Sequence, residues 1–110
     1  MKYEELSKSV IEWGGSKGIF NESTPLRQLD KTQEELDETR EALVKLTNSN
    51  SHEIKAIDEV EDGIGDMLVT IILLAEMVGL NTEKCLGTAY DVIRKRTGKM
   101  INGQFVKDES

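Results

Sequence analysis

Cysteine, histidine, aromatic side chains and clustered positive charge are scarce in this chain, and each scarcity removes a class of explanation. The single cysteine, Cys85, cannot close an internal disulfide, which fits a reducing compartment and predicts a cytoplasmic protein. It reads as a small buried side chain on the last helix. The single histidine, His52, lies in a polar stretch, so the Glu-x-x-His pairs of a di-iron carboxylate bundle cannot be assembled. Lys and Arg number 14 against 21 Asp and Glu, a net charge of −7, and form no stripe that would displace counterions. A nucleic-acid backbone or an anionic membrane is therefore disfavoured as a partner. The N-terminus carries no apolar signal segment, and the longest apolar run, Met67 to Ala75, is too short to span a bilayer before Glu76 interrupts it. Repeats and linkers are absent. The 110 residues suffice for one domain, 1–110, with a modest core whose burial a partner subunit completes.

What the chain has in excess is carboxylate, in two clusters: Glu34-Glu35-Leu36-Asp37-Glu38 and Glu59-Val60-Glu61-Asp62-Gly63-Ile64-Gly65-Asp66. At about 100° per residue on a helix, Glu35 and Glu38 lie roughly 60° apart, Asp62 and Asp66 roughly 40° apart, and Glu59 almost in line with Asp66. Carboxylates grouped this way, with no basic partner between them, point to a divalent cation. The apolar run that follows Asp66 is apolar all round and reads as buried, which puts Asp62 and Asp66 at the edge of a core. An unpaired charge there costs several kcal/mol, and a bound cation removes that cost. The plainer alternative is a solvated acidic face near a helix start, where the macrodipole favours acids.

Four helices follow from the punctuation. Tyr3, Leu6, Val10 and Trp13 recur at helical spacing and bury one stripe, with Gly14-Gly15 as the stop, which gives a first helix over about 2–13. Ser23-Thr24-Pro25 opens a second helix, whose Leu29, Leu36 and Leu43 repeat every seven residues to about Leu46. Asn50 and Glu53 resemble a capping box for a third, ending near Gly79. Asn81-Thr82 caps a fourth, which closes in Arg94-Lys95-Arg96. In the tail, Asn102-Gly103 between short β-prone runs predicts a hairpin that packs over the helices.

In this order the motifs resemble the MazG-like nucleotide pyrophosphohydrolases, an all-α family marked by a Glu-Glu-x-x-Glu helix and a Glu-x-x-Asp helix. Glu34-Glu35-Leu36-Asp37-Glu38 fits the first, and Gly65-Asp66-Met67-Leu68-Val69 with the run to Gly79-Leu80 resembles the second. Trp13, Lys17-Gly18-Ile19-Phe20, Ser23-Thr24-Pro25 and the tail from Gly98 to Val106 are similar to phage-type and Gram-positive members. The chain departs from the pattern at Gly63, where the family carries a Glu. Asp62 takes that place, with Glu59 as the alternative.

The resemblance implies an all-α four-helix MazG-like bundle with a short C-terminal β-hairpin, completed by oligomerisation as a homodimer or a dimer of dimers. It implies hydrolysis of a nucleoside or deoxynucleoside triphosphate to the monophosphate and pyrophosphate. Glu35, Glu38, Asp62 and Asp66 would hold Mg²⁺, with Mn²⁺ as a substitute. Glu34 or Glu38 would orient the attacking water. Lys31, Arg96 and Lys99 are the candidate phosphate contacts, beside Arg94, and Trp13 the candidate base contact, although an aromatic on an amphipathic stripe more often belongs to the core. The rival reading is a catalytically inactive helical oligomerisation module of the same fold, in which Gly63 marks a lost site.

Overall fold

A computed structural model describes residues 1–48 and 54–109. Among them are five helices, α1 (Tyr3–Ser16), α2 (Ile19–Glu22), α3 (Pro25–Asn48), α4 (Ile54–Met77) and α5 (Thr82–Ile93), and a two-stranded antiparallel sheet of β1 (Gly98–Ile101) and β2 (Gln104–Lys107). The all-α character with a terminal hairpin is as expected, but the helix count is five rather than four. The chain divides into two compact units, Met1–Leu80 and Asn81–Ser110. The Asn50/Glu53 capping box and His52 fall outside the described residues.

Gly14-Gly15 do not stop α1. Gly14 is buried inside it, where an added Cβ would lie 2.5 Å from the Leu73 side chain, so this glycine serves the close approach of α1 to α4. The turn comes at Gly18, whose φ of 81° suits a residue without Cβ and leads directly into α2. The stripe expected to be buried on α1 is only partly so: Tyr3, Leu6 and Trp13 are each about half exposed. Thr24 caps α3 as its sequence suggests, accepting a hydrogen bond from the Arg27 amide at 3.2 Å, with Pro25 in the first helical position.

α3 and α4 form an antiparallel pair, the main contact of the first unit. The face of α3 that meets α4 is not the leucine stripe but Gln28, Thr32, Glu35, Thr39 and Ala42, of which all but the half-buried Thr32 are buried. Small and polar groups match it from α4. The Thr32 hydroxyl donates to the Thr70 hydroxyl at 2.8 Å, which donates to the Met67 carbonyl at 2.7 Å. Gln28 Nε2 donates to the Thr70 carbonyl at 3.3 Å, and Thr39 Oγ1 donates back to the Glu35 carbonyl at 2.8 Å. Gly63 is buried against Thr39, where a Cβ would collide with the threonine Oγ1 and stand 3.3 Å from its Cα. The helices therefore touch nearly backbone to backbone.

This packing corrects the expectation that the run after Asp66 is wholly buried. Ile72, Leu73 and Ala75 are buried, whereas Ile57, Ile64, Leu68 and Ile71 are 40–51% exposed, as are Leu29 and Leu43. By helical spacing these residues, with Leu36 and Met67, lie on one side of the α3–α4 pair and the acids on the other. A concavity lined by Leu36, Leu43, Val44 and Met67 marks the apolar side.

In the second unit, Asn81 caps α5 by accepting from the Lys84 amide at 2.8 Å. The hairpin pairs Ile101 with Gln104 across Asn102 (φ 51°) and Gly103 (φ 81°), the two left-handed positions of a type I′ turn. Cys85 is exposed, not buried, in a small unit whose described residues are nearly all exposed.

Gly63→Ala tests the close contact. Overpacking here is expected to cost about 1–3 kcal/mol, measured by denaturant unfolding. Thr39→Ala should recover part of the loss by removing the nearest atom, and additive effects of the two substitutions would show that the contact is not what limits the helix approach.

Candidate functional site

The acids of both clusters come together on the side of α3 and α4 opposite the exposed leucines. Glu34, Glu35 and Glu38 stand on α3, Glu59, Asp62 and Asp66 on α4, and all of these but Glu34 line two adjoining concavities that share Asp66. One, of about 490 Å³, is walled by Trp13, Arg27, Gln28, Lys31, Glu35, Asp66 and an apolar floor that includes Val69 and Leu73. The other, of about 250 Å³, is walled by Glu38, Glu41, Lys45, Glu59, Asp62 and Asp66 beside Gly63.

Burial falls on a different acid from the one the sequence suggested. Asp62 and Asp66 are exposed, while Glu35, on the α3 face that packs on α4, is about nine-tenths buried. Its Oε1 is 3.5 Å from Lys31 Nζ, and its Oε2 is buried with no hydrogen-bond partner among the described residues. Leaving such an oxygen unpaired costs on the order of 1–3 kcal/mol.

The acids are not free of basic partners. Lys31 Nζ lies 3.2 Å from Glu34 Oε1 as well as beside Glu35, and Lys45 Nζ reaches Glu59 Oε2 at 3.7 Å. The hydrogen bond to Glu34 is the main reason that the Lys31 ammonium is held above the usual lysine value. Repulsion from the Glu35 carboxylate pushes Glu38 above the ordinary glutamate value, and a hydrogen bond that the protonated Glu38 carboxyl donates to Glu35 adds to it.

Among the described residues no three Asp, Glu, His or Cys side chains are drawn together tightly enough to enclose an ion. The donor set nonetheless suits a hard divalent cation. It consists of carboxylates alone, it carries a buried oxygen with no hydrogen-bond partner among the described residues, and its mutual repulsion is only partly offset by Lys31 and Lys45, both exposed.

Trp13, about half exposed, lines the larger concavity instead of joining the core, because Gly14, not Trp13, faces Leu73. Lys31 lines it too. Arg96 and Lys99 belong to the second unit, where both are exposed, and Arg94 pairs with Asp91 at 3.5 Å. Arg27 and Gln28 were not singled out from the sequence. Gln28 stands seven residues before Glu35 and so shares its helical face, a signal that was present. Comparison with protein-family models, curated proteins and solved structures finds no match to the chain.

The raised Glu38 value carries a sign. The folded state holds a proton on this group more readily than the unfolded state, so its contribution to stability falls as pH rises through the folded-state value and is most unfavourable once both carboxylates are ionised. Glu38→Gln is therefore expected to raise the melting temperature of metal-free protein at pH 7 and to have no such effect below the carboxylate range, as read by thermal scans across pH. A lowered melting temperature at pH 7 would show that Glu38 makes a favourable contact outweighing the repulsion.

Proposed function

We propose that the chain is a MazG-like nucleoside triphosphate pyrophosphohydrolase that cleaves between the α and β phosphates. The observation that carries this reading is the buried Glu35 carboxylate, with one oxygen unpartnered, beside Glu38 and a concavity that also holds Asp66, Arg27, Lys31 and Trp13. Glu35 and Asp66 would hold Mg²⁺, or Mn²⁺ in its place, together with Glu38 and Asp62. Bound there, the cation supplies charge neutralisation for the phosphates and lowers the pKa of a coordinated water.

Gly63 is closed to a larger side chain by Thr39, so the family glutamate has no room at that position. Glu59 is engaged by Lys45, whereas no ion pair engages Asp62 among the described residues, which favours Asp62 as the substitute ligand. Glu34 is held by Lys31, and Glu38, pushed above the ordinary glutamate value, is the better placed of the two to take a proton from the attacking water. Arg27 and Lys31 are positioned to offset phosphate charge in an otherwise acidic protein.

The uncovered apolar side of α3 and α4 supports association of copies into a homodimer or a dimer of dimers. It also supports the rival reading of an inactive oligomerisation module. That face lies away from the acids, so it accounts for assembly and leaves Glu35 unexplained.

Mg²⁺-dependent release of pyrophosphate from a panel of ribo- and deoxynucleoside triphosphates tests the activity. Asp66→Asn, Glu35→Gln and Asp62→Asn are each expected to lower turnover by roughly 100-fold or more, equivalent to about 2.7 kcal/mol. Glu61→Gln, pointing away from the site, should cost little. Turnover that survives Asp62→Asn but is abolished by Glu59→Gln would exchange the two ligands, and a complete absence of hydrolysis by the folded protein would favour the oligomerisation module.

Sedimentation is expected to give a dimer or tetramer at micromolar concentration. Leu68→Glu, on the exposed apolar side, should shift it toward monomer, and a wild-type chain that stays monomeric would reject the assembly.

A further inference from the structure

The concavity between α1, α3 and α4 is divided chemically. The Glu35, Asp66, Lys31 and Arg27 side chains supply charge for phosphates and a cation, while the remaining wall is uncharged and contains a flat aromatic, Trp13, and a buried carboxamide, Gln28. A carboxamide about 94% buried is unusual unless its groups are used. One N–H of Gln28 is spent on the Thr70 carbonyl at 3.3 Å, which fixes the orientation of the group, since only the nitrogen end can donate there. No hydrogen bond reaches Gln28 Oε1 among the described residues, so a fixed acceptor remains on the wall of the cavity with the second N–H beside it.

We propose that this uncharged part of the cavity receives the base of the nucleotide, with Trp13 stacking on its face and Gln28 reading its hydrogen-bonding edge as the residue that determines base specificity. The inference rests on the pyrophosphohydrolase reading and adds the substrate contact to it. A carboxamide locked in one orientation presents donor and acceptor in one order, so bases with the reverse order along the same edge are left with unpaired groups and are selected against.

Trp13 is the only tryptophan in the chain, so its fluorescence reports occupancy of this cavity directly. The experiment titrates full-length protein, with Mg²⁺, with the triphosphates of adenine, guanine, cytosine and uracil carrying a non-cleavable α,β-methylene bridge, and measures hydrolysis of the four natural triphosphates in parallel. Wild-type protein is expected to show Trp13 quenching and a preference of at least about tenfold among bases. Gln28→Met, similar in length and without hydrogen bonds, should compress that preference to within about threefold while quenching persists. Gln28→Leu, which removes the carboxamide without setting a carboxylate against the Thr70 carbonyl, should compress the preference likewise and serves where the methionine variant does not fold. Equal weakening of all four bases in both variants would overturn the proposal, as would wild-type binding without base preference. Hydrolysis with no change in Trp13 fluorescence would overturn the base site alone and leave the pyrophosphohydrolase reading standing, whereas neither binding nor hydrolysis would overturn both.

Discussion

The contact of Gly63 with Thr39 sets the distance between α3 and α4, and the placement of the acids depends on it. With no side chain at Gly63 the two backbones approach closely enough for Thr32 to hydrogen bond to Thr70 and for Gln28 to reach the Thr70 carbonyl. Any larger residue would push the helices apart and pull Glu35 away from Asp66. Gly63, which departs from the acidic motif that the sequence resembles, is thus a packing requirement, and on the pyrophosphohydrolase reading Asp62, one residue earlier, would carry the charge.

Close packing of small and polar groups has a cost in hydrophobic stabilisation. The buried apolar residues among those described are Ala42, Ala56, Ile72, Leu73 and Ala75, and only Leu73 is a large side chain fully withdrawn from water. At about 25 cal/mol per Å² of apolar surface, three alanines contribute little. Larger side chains, Leu29, Leu36, Leu43, Ile64, Leu68 and Ile71, stand on the opposite side, still half in water. Much of the burial available to this chain therefore lies in covering that side. The polar, charge-bearing interface within the chain thus leaves most of the large apolar side chains outside it.

The sequence was legible where local chemistry decides the outcome. Thr24-Pro25, Asn81 and Asn102-Gly103 act through their own backbone geometry, and each appears in the structure as the residue types require. It misled where tertiary packing decides. The leucine heptad is the most regular pattern on α3, yet Thr39 and Gln28, one helical step aside, are the residues that face α4, Thr39 against Gly63 and Gln28 against Thr70. Gly14-Gly15 read as a stop but remain helical, because Gly14 is needed where α1 crosses Leu73. The same reasoning applies to the site. Helical spacing grouped the acids correctly on each helix, but which of them is buried depends on the helix facing it, and that is a property of the pair.

The basic partners expose the electrostatic consequence. Lys31 sits within reach of both Glu34 and Glu35, and an ammonium at 48% exposure of its side chain is a weakly held countercharge. It neutralises part of the cluster, leaves Glu35 Oε2 without a partner, and leaves Glu38 repelled by its neighbour. A divalent cation offers more charge in a smaller radius and several coordination directions at once, so it would satisfy the oxygen that the lysine leaves unsatisfied. Displaced by it, Lys31 would be released toward the same concavity that Arg27 lines, where a polyanion needs positive charge. On the pyrophosphohydrolase reading, the arrangement that is imperfect for the isolated chain would become complementary when cation and phosphate bind together, and the exposure of Lys31 would allow the exchange.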